Sequence, residues 1–340
     1  MSAERLFFPG AREENFFRGL SNVEIPELGE PIKGKVRDGW SVEIRGSRCS
    51  RLRILVTTDR QSAFDNIVCT TPGKGQVLNL LSAFWFENTK DIIQNHMLAV
   101  PHPNVLIAKE AKETLPVEVV VRRYMAKSAT DTSVYNNYVN KGRRKIYGIE
   151  FPENLQPNQE FPMGSIVTPT TKALAGHDEE LTDNEAAEIV DRKLGKGKWN
   201  QAKTAANACF ERARFYCLER GLILADTKYE FGIDENRELM LIDEIHTPDS
   251  SGYWLYQTYE QRLAEGKNPD TYDKDILRRW LAENGFKGES PIPVIDPEII
   301  KQMSKAYKVP YKMITGKQLP PQVWDVARQV RDVVIKYINL

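Results

Sequence analysis

Hydrophobic positions along the chain follow two periods, one of two residues and one of about 3.6, and their succession predicts an α+β protein without internal repeats. Residues 31–44, PIKGKVRDGWSVEI, read as extended chain around a glycine-containing turn, and 51–58, RLRILVTT, as a β-rich run ending in polar residues. At 77–93, VLNLLSAFWFENTKDII, apolar residues recur at helical spacing and predict a core helix. VEVVVRRY at 117–124 is apolar and β-branched enough for a buried strand. From 136 to 171 the Gly, Pro, Asn and Gln content reads as a long surface excursion, a length that is usually functional or mobile. A second helix is expected at 199–220, with Gly221 where a left-handed stop belongs. Extended segments at 222–233 and 238–246 follow, joined by the polar turn Asp234 to Arg237. Beyond Trp254 the chain turns helical, most clearly from Glu260 to Glu283 and from Gln322 to Ile338, with the proline-rich PIPVIDP between them.

The hairpin carries the candidate chemistry. In LADTKYEFG, residues 224–232, Asp226, Lys228 and Glu230 occupy every second position and so share one face of a strand. A turn centred between Asn236 and Arg237 sets a register in which Glu230 faces Asp243. Facing carboxylates repel unless a cation lies between them, and magnesium is commonly held by one or two carboxylates plus phosphate oxygens. Glu230 and Asp243 are therefore the candidate metal ligands, with Lys228 placed to reach a phosphate or carboxylate beside the ion. The competing reading is an ion-pair ladder on an exposed hairpin, and a register shift of one residue removes the pairing. GKVRD, residues 34–38, supplies a flexible turn with Lys35 and Arg37, suited to polyphosphate; it is no Walker sequence, and a plain surface turn fits it too.

Composition removes several function classes. The 340 residues carry 47 basic and 47 acidic side chains, so no global field recruits nucleic acid or an anionic membrane, and charged ligands must be held locally. Cys49, Cys69, Cys209 and Cys217 form no CxxC pair. The start MSAERLFFPG lacks a signal-peptide pattern and no apolar run is long enough for a bilayer, so a reducing, cytoplasmic setting is expected.

Seven segments together resemble the phosphoribosylaminoimidazole-succinocarboxamide synthase, or SAICAR synthetase, family over nearly the whole length, most closely its longer form. They are GKVRD, TTDRQSAFD (57–65), PGKGQVLNLLSAFWF (72–86), LPVEVVVR (115–122), QEFPMGSIVTPTTKALAGHDEELT (159–182), LADTKYEFG and LIDEIHTPDSS (241–251). The resemblance implies a two-lobed α+β fold, with a β-rich ATP-binding lobe at 1–115 and a larger lobe with C-terminal helices at 116–340. It also implies an ATP- and magnesium-dependent ligase of purine synthesis that activates a carboxylate, through an acyl phosphate, for attack by the amine of L-aspartate. Glu230 and Asp243 match the family's magnesium positions, and Asp226 and Lys228 its catalytic pair. Gly34, Lys35 and Arg37 match the phosphate loop, with adenine expected at the backbone of Val117 and Glu118.

For the acceptor, Arg122 and Ser128 match the ribose-phosphate region, His177 and Asp178 the imidazole carboxylate or aspartate region, and Asp59, Arg60, Ser62 and Asp65 the same cleft. Two departures stand out: Lys127 where the family has glycine, and Gly252 where it usually has an arginine. Arg123 and Lys127 are then expected to restore the phosphate site, or else the pocket suits another carboxylate, as in a paralogue; drift at unused positions is a third reading. A small-molecule kinase is an alternative of another class. The expected partners are small molecules alone, and oligomeric state is left open.

Overall fold

The computed structural model describes residues 19–43, 51–64, 66–128, 130–172, 178–272, 275–286, 288, 291–321 and 325–339. In chain order the strands are β1 (Ile32–Lys33), β2 (Arg37–Glu43), β3 (Arg51–Thr57), β4 (Arg60–Ala63), β5 (Asn66–Thr70), β6 (Met97–His102), β7 (Val105–Lys109), β8 (Glu113–Thr114), β9 (Val117–Arg122), β10 (Lys145–Ile146), β11 (Ile149–Glu150), β12 (Ile166–Thr171), β13 (Leu222–Ile233), β14 (Leu239–Ile242) and β15 (Ser251–Leu255). The helices are α1 (Lys74–Thr89), α2 (Asp183–Leu194), α3 (Lys198–Leu218), α4 (Tyr256–Ala264), α5 (Asp275–Glu283), α6 (Pro297–Thr315) and α7 (Val326–Ile338).

Period-two alternation gives the first sheet, ordered β1-β2-β3-β7-β6, two different faces. Leu52, Ile54 and Val56 of β3 pack with Val105, Ile107, Trp40 and the α7 residues Val326, Val330 and Val334 in one core. Arg53 and Leu55, between them in sequence, therefore look the other way, into a cleft. The last helix thus returns to cover the first sheet, a long-range contact that local sequence does not announce.

The second sheet runs β12-β9-β13-β14, and β13 also pairs with β8 and β15. Its edge strand β12 carries Pro169, a position where a missing N–H costs least. Trp199, Cys209, Phe210 and Cys217 of α3 share the main core with Tyr229 and Phe231 of β13, and α1 contributes Leu78, Leu81, Trp85 and Phe86 to it.

Several expectations need correction. The excursion at 136–171 ends in a paired strand, β12, and encloses a small core of its own around Tyr138, Ile146, Phe151 and Phe161. The stretch from Glu260 to Glu283 is interrupted, forming α4 and α5 as separate helices. Two helices escaped the sequence reading. In α2, Thr182 and Glu185 form a capping box. The 19-residue α6 begins at the Asp296 cap with Pro297 in its first turn and tolerates Pro310 within.

The hairpin register is also off by one residue. Asp234 N donates to Glu238 O at 2.9 Å and Arg237 sits at φ 61°, so the loop is Glu235 to Arg237 and is centred on Asn236. A three-residue loop with its last residue left-handed is an alternative hairpin solution to an even-numbered turn. Glu230 consequently faces Ile242, and Asp243 lies just beyond the end of β14.

Candidate active site

The glycine-containing turn between β1 and β2 is tight: Gly34 N donates to Arg37 O at 2.7 Å, and a Cβ at Gly34 would lie 2.7 Å from that oxygen. Arg60 holds the turn from behind. Its guanidinium reaches Asp38 Oδ1 at 2.6 Å and Oδ2 at 3.0 Å, and also the carbonyls of Gly34 at 3.0 Å and Lys35 at 3.3 Å. A buried pair of this kind is stable only when its remaining hydrogen bonds are satisfied, and here backbone carbonyls satisfy them. Arg60 therefore supports the turn rather than facing a ligand.

Across the cleft, the end of β14 turns sharply. Asp243 has φ 64° and His246 φ 49°, a backbone that L residues rarely adopt and that the surroundings must hold in place. The anchor is His246, fully buried, whose Nε2 is hydrogen-bonded to the Tyr229 hydroxyl and whose carbonyl accepts from Tyr253 Oη at 2.6 Å. Burial pushes the His246 imidazole down to about 3, so it is neutral. Tyr229 lies between Lys228 and Glu230 in sequence, so this contact fixes the strand and the following loop together.

The result is a cavity of about 510 Å³ into which Gly34, Lys35, Arg37, Ser62, Lys228, Glu230, Asp243, Glu244 and Asp249 project, with Ile32, Val36 and Leu55 as its apolar side. Arg37 bridges Asp243 at 2.8 Å and Glu244 at 2.6 Å. Lys228 bridges Glu230 at 2.7 Å and Glu118 at 2.9 Å, and Lys172 takes the other oxygen of Glu230. Burial opposes the charge on Lys228, but Glu230, Glu118 and Asp243 outweigh it and raise the ammonium above its ordinary range. Burial likewise favours neutral Asp243, yet Arg37, Lys228, His96 and Lys172 keep its carboxyl below the usual value. Burial raises the Glu118 carboxyl, with Lys228 opposing. Glu230 and Asp243 are thus brought to one cavity as expected, through a bend after β14 instead of cross-strand pairing.

The acceptor-side residues divide. Arg122 meets Asp226 Oδ2 at 3.1 Å and Thr168 Oγ1 at 3.0 Å, and Gly252 N donates to Asp226 Oδ1 at 3.1 Å. A Cβ at residue 252 would stand 3.0 Å from that oxygen, so glycine permits the approach of β15. Arg123 is paired with Glu160 at 2.5 Å. Lys127 is exposed and its N–H donates to Asn158 at 3.1 Å, while Ser128 Oγ lies 2.9 Å from Thr130 Oγ1. Asp178 lies close enough to Glu118 to help raise its carboxyl. His177 and Asp65 lie outside the described residues.

One placement differs from expectation. Asp59 is fully buried, and its carboxylate accepts from Leu20 N at 2.8 Å and Gly75 N at 2.7 Å, so it ties the N-terminal segment to the start of α1 instead of touching substrate. The backbone of Val117 and Glu118 pairs with Thr171 and Thr170 on one side, and the pairing of β9 with β13 on the other side begins only at Val119. Sequence reasoning missed Lys172, Glu244, Asp249 and the buried Lys74, which meets Asp249 at 2.8 Å; Tyr307 of α6 donates to the same carboxylate at 2.6 Å. All four lie inside the quoted segments, in PTTK, LIDEIH, TPDSS and PGKGQ, and were not singled out there.

The sequence profile of SAICAR synthetase matches residues 30–293. A Mesorhizobium japonicum protein named putative phosphoribosylaminoimidazole-succinocarboxamide synthase 2 is 43% identical over 307 residues, covering 90% of this chain and 94% of its own. The phosphoribosylaminoimidazole-succinocarboxamide synthase of Legionella pneumophila strain Lens is 42% identical over 300 residues, covering 88% and 91%. The solved SAICAR synthase from Saccharomyces cerevisiae, complexed with SAICAR, superimposes with a TM-score of 0.72 at 31% identity, over 88% of this chain and 99% of that one. A SAICAR synthetase in complex with ADP shares the fold at a TM-score of 0.61 and 24% identity. With the profile spanning most of the chain and relatives of this closeness matching nearly end to end, the chain belongs to the SAICAR synthetase family.

Proposed function

We propose that the cleft between the glycine turn and the β13–β14 hairpin binds ATP and joins the carboxylate of 5-aminoimidazole-4-carboxylate ribonucleotide to the amine of L-aspartate. The observation that carries this reading is the convergence of Gly34, Lys35, Arg37, Lys228, Glu230 and Asp243 on one cavity from opposite sides. ATP is assigned with its phosphates at the Gly34–Arg37 turn and its base against Ile32, Val36 and Leu55. Ile32 keeps 65% of its surface exposed, an apolar face suited to a base. The division into lobes at residues 115 and 116 belongs to the same reading.

The site fits a magnesium ion. Glu230 and Asp243 offer hard oxygen donors, and each is now compensated by side-chain cations. Among the described residues no group of three or more His, Cys, Asp or Glu side chains is placed to hold a metal, so an ion on Glu230 and Asp243 would need nucleotide oxygens and water for its other positions. When bound, the ion supplies charge neutralisation at the transferring phosphoryl group. Lys228, kept protonated by its acids, neutralises charge where an anionic carboxylate must approach the nucleotide. Asp226 orients Arg122 toward the acceptor, and Arg37 holds Asp243 and Glu244 in place. The acceptor carboxylate oxygen takes the γ-phosphoryl group as ADP leaves, giving an acyl phosphate, and the amine then displaces phosphate and loses a proton as the amide forms.

A second reading, another carboxylate as acceptor, is favoured by Gly252 together with the engagement of Arg123 by Glu160, which leaves that side short of one expected cation. No helix among the described residues is long and apolar enough to cross a membrane. The test is phosphate release with ATP, magnesium, L-aspartate and the carboxylate nucleotide, omitting each in turn. Turnover that requires all four supports the assignment. A stable phosphorylated acceptor released over many turnovers without amine would make the protein a kinase, and ATP binding without turnover would point to another acceptor.

A further inference from the structure

We infer that Lys172 is an exchangeable counterion that stands in the metal position and leaves it when a divalent cation arrives. The inference rests on the assignment of Glu230 and Asp243 as metal ligands. Both oxygens of Glu230 are engaged, Oε1 by Lys228 at 2.7 Å and Oε2 by Lys172. Lys172 thus meets Glu230 directly at the cleft, on the carboxylate oxygen that Lys228 leaves open. An ammonium on the open oxygen of Glu230 occupies a place a hard cation would need, and a divalent ion binding at that oxygen would repel it.

Lys228, Arg37 and Lys172 touch these acids among the described residues, and their anchoring differs. Lys228 is held by Glu118 as well as Glu230, so losing one partner leaves it fixed. Arg37 is held by Asp243 and Glu244 and has 14% of its side-chain surface exposed. Lys172 lies past the last strand residue of β12, its ion pair is with Glu230, and 39% of its side chain is exposed. It is therefore the most weakly tethered of the three. Displacement frees one positive charge at the cleft, available to an oxygen of the nucleotide or the acceptor. Metal entry and delivery of a cation to the substrates then form one coupled event, and without the metal Glu230 keeps both of its oxygens compensated.

The test compares wild type, Lys172→Met, Lys172→Arg and Glu230→Gln for Mn²⁺ binding by electron paramagnetic resonance, first with the metal alone and then with a non-hydrolysable ATP analogue. The exchange predicts that Lys172→Met binds Mn²⁺ alone about fivefold more tightly than wild type, the equivalent of one partly screened ion pair. Lys172→Arg should remain near wild type, and the gain should vanish in the double variant Lys172→Met, Glu230→Gln. Equal or weaker binding of free Mn²⁺ by Lys172→Met, or no detectable binding by either, overturns the exchange. The underlying metal assignment is read separately: Mn²⁺ bound with the analogue must be lost in Glu230→Gln, and its persistence there would remove the assignment itself.

Discussion

Arg60 and Asp38 meet in a buried two-pronged ion pair, with contacts of 2.6 and 3.0 Å, directly behind the turn that is proposed to hold phosphate. Breaking one side leaves the other charged and buried, so Asp38→Asn should destabilise the fold by about 3–5 kcal/mol and raise the KM for ATP. The double change Asp38→Asn, Arg60→Gln should cost less than the sum of the two single changes. Urea denaturation with ATP titration checks this, and additive effects would contradict a mutual pair.

Glu230→Gln and Asp243→Asn should each lower turnover on the order of 10²- to 10³-fold, the range seen when one preorganised electrostatic contact is removed. Far-ultraviolet circular dichroism should stay unchanged, because both side chains project into the cavity. Near-normal turnover in either variant would remove that residue from the metal site.

His246 sets a pH dependence of stability. Its folded value of about 3 lies below the unfolded value near 6.5, so between these limits the unfolded chain binds a proton that the folded chain does not. Stability is therefore lost as pH falls below about 6.5, at up to roughly 1.4 kcal/mol per pH unit from this group. His246→Asn, which tolerates the left-handed backbone, should be less stable at pH 7.5 and should lose less on acidification. Urea unfolding between pH 7.5 and 4.5 measures both slopes, and parallel slopes would contradict the buried neutral imidazole.

Gly252→Arg adds a guanidinium on β15 next to the Arg122–Asp226 pair, and its Cβ, 3.0 Å from Asp226 Oδ1, requires that carboxylate to shift by a small amount. If the acceptor carries a phosphate, its KM should fall about tenfold relative to an unphosphorylated analogue, the worth of one charged hydrogen bond. An unchanged ratio of the two KM values would separate residue 252 from acceptor recognition.

Much of this site was legible because its residues sit in short motifs. Asp226, Lys228 and Glu230 share a face through strict alternation, and the stop after α3 falls at Gly221, whose φ is 77°. What was illegible depended on geometry beyond local spacing. The odd-numbered loop ending in left-handed Arg237 moved the register by one residue, and the bend at Asp243 restored by another route the proximity that the register alone denied. Asp59 looks in sequence like a site residue, but its carboxylate is used by two backbone N–H groups brought from distant segments. The burial of Lys74 against Asp249 and Tyr307 needs α1, the loop after β14 and α6 to meet, which no window of sequence contains.

The central claim, carboxylate activation by ATP within this cleft, is tested most directly by following oxygen. With the acceptor carboxylate labelled with ¹⁸O and ATP, magnesium and L-aspartate supplied, one labelled oxygen should appear in each phosphate released, and the amide should retain the other. Phosphate released without label during amide formation would contradict an acyl phosphate, and with it the role assigned to the cleft.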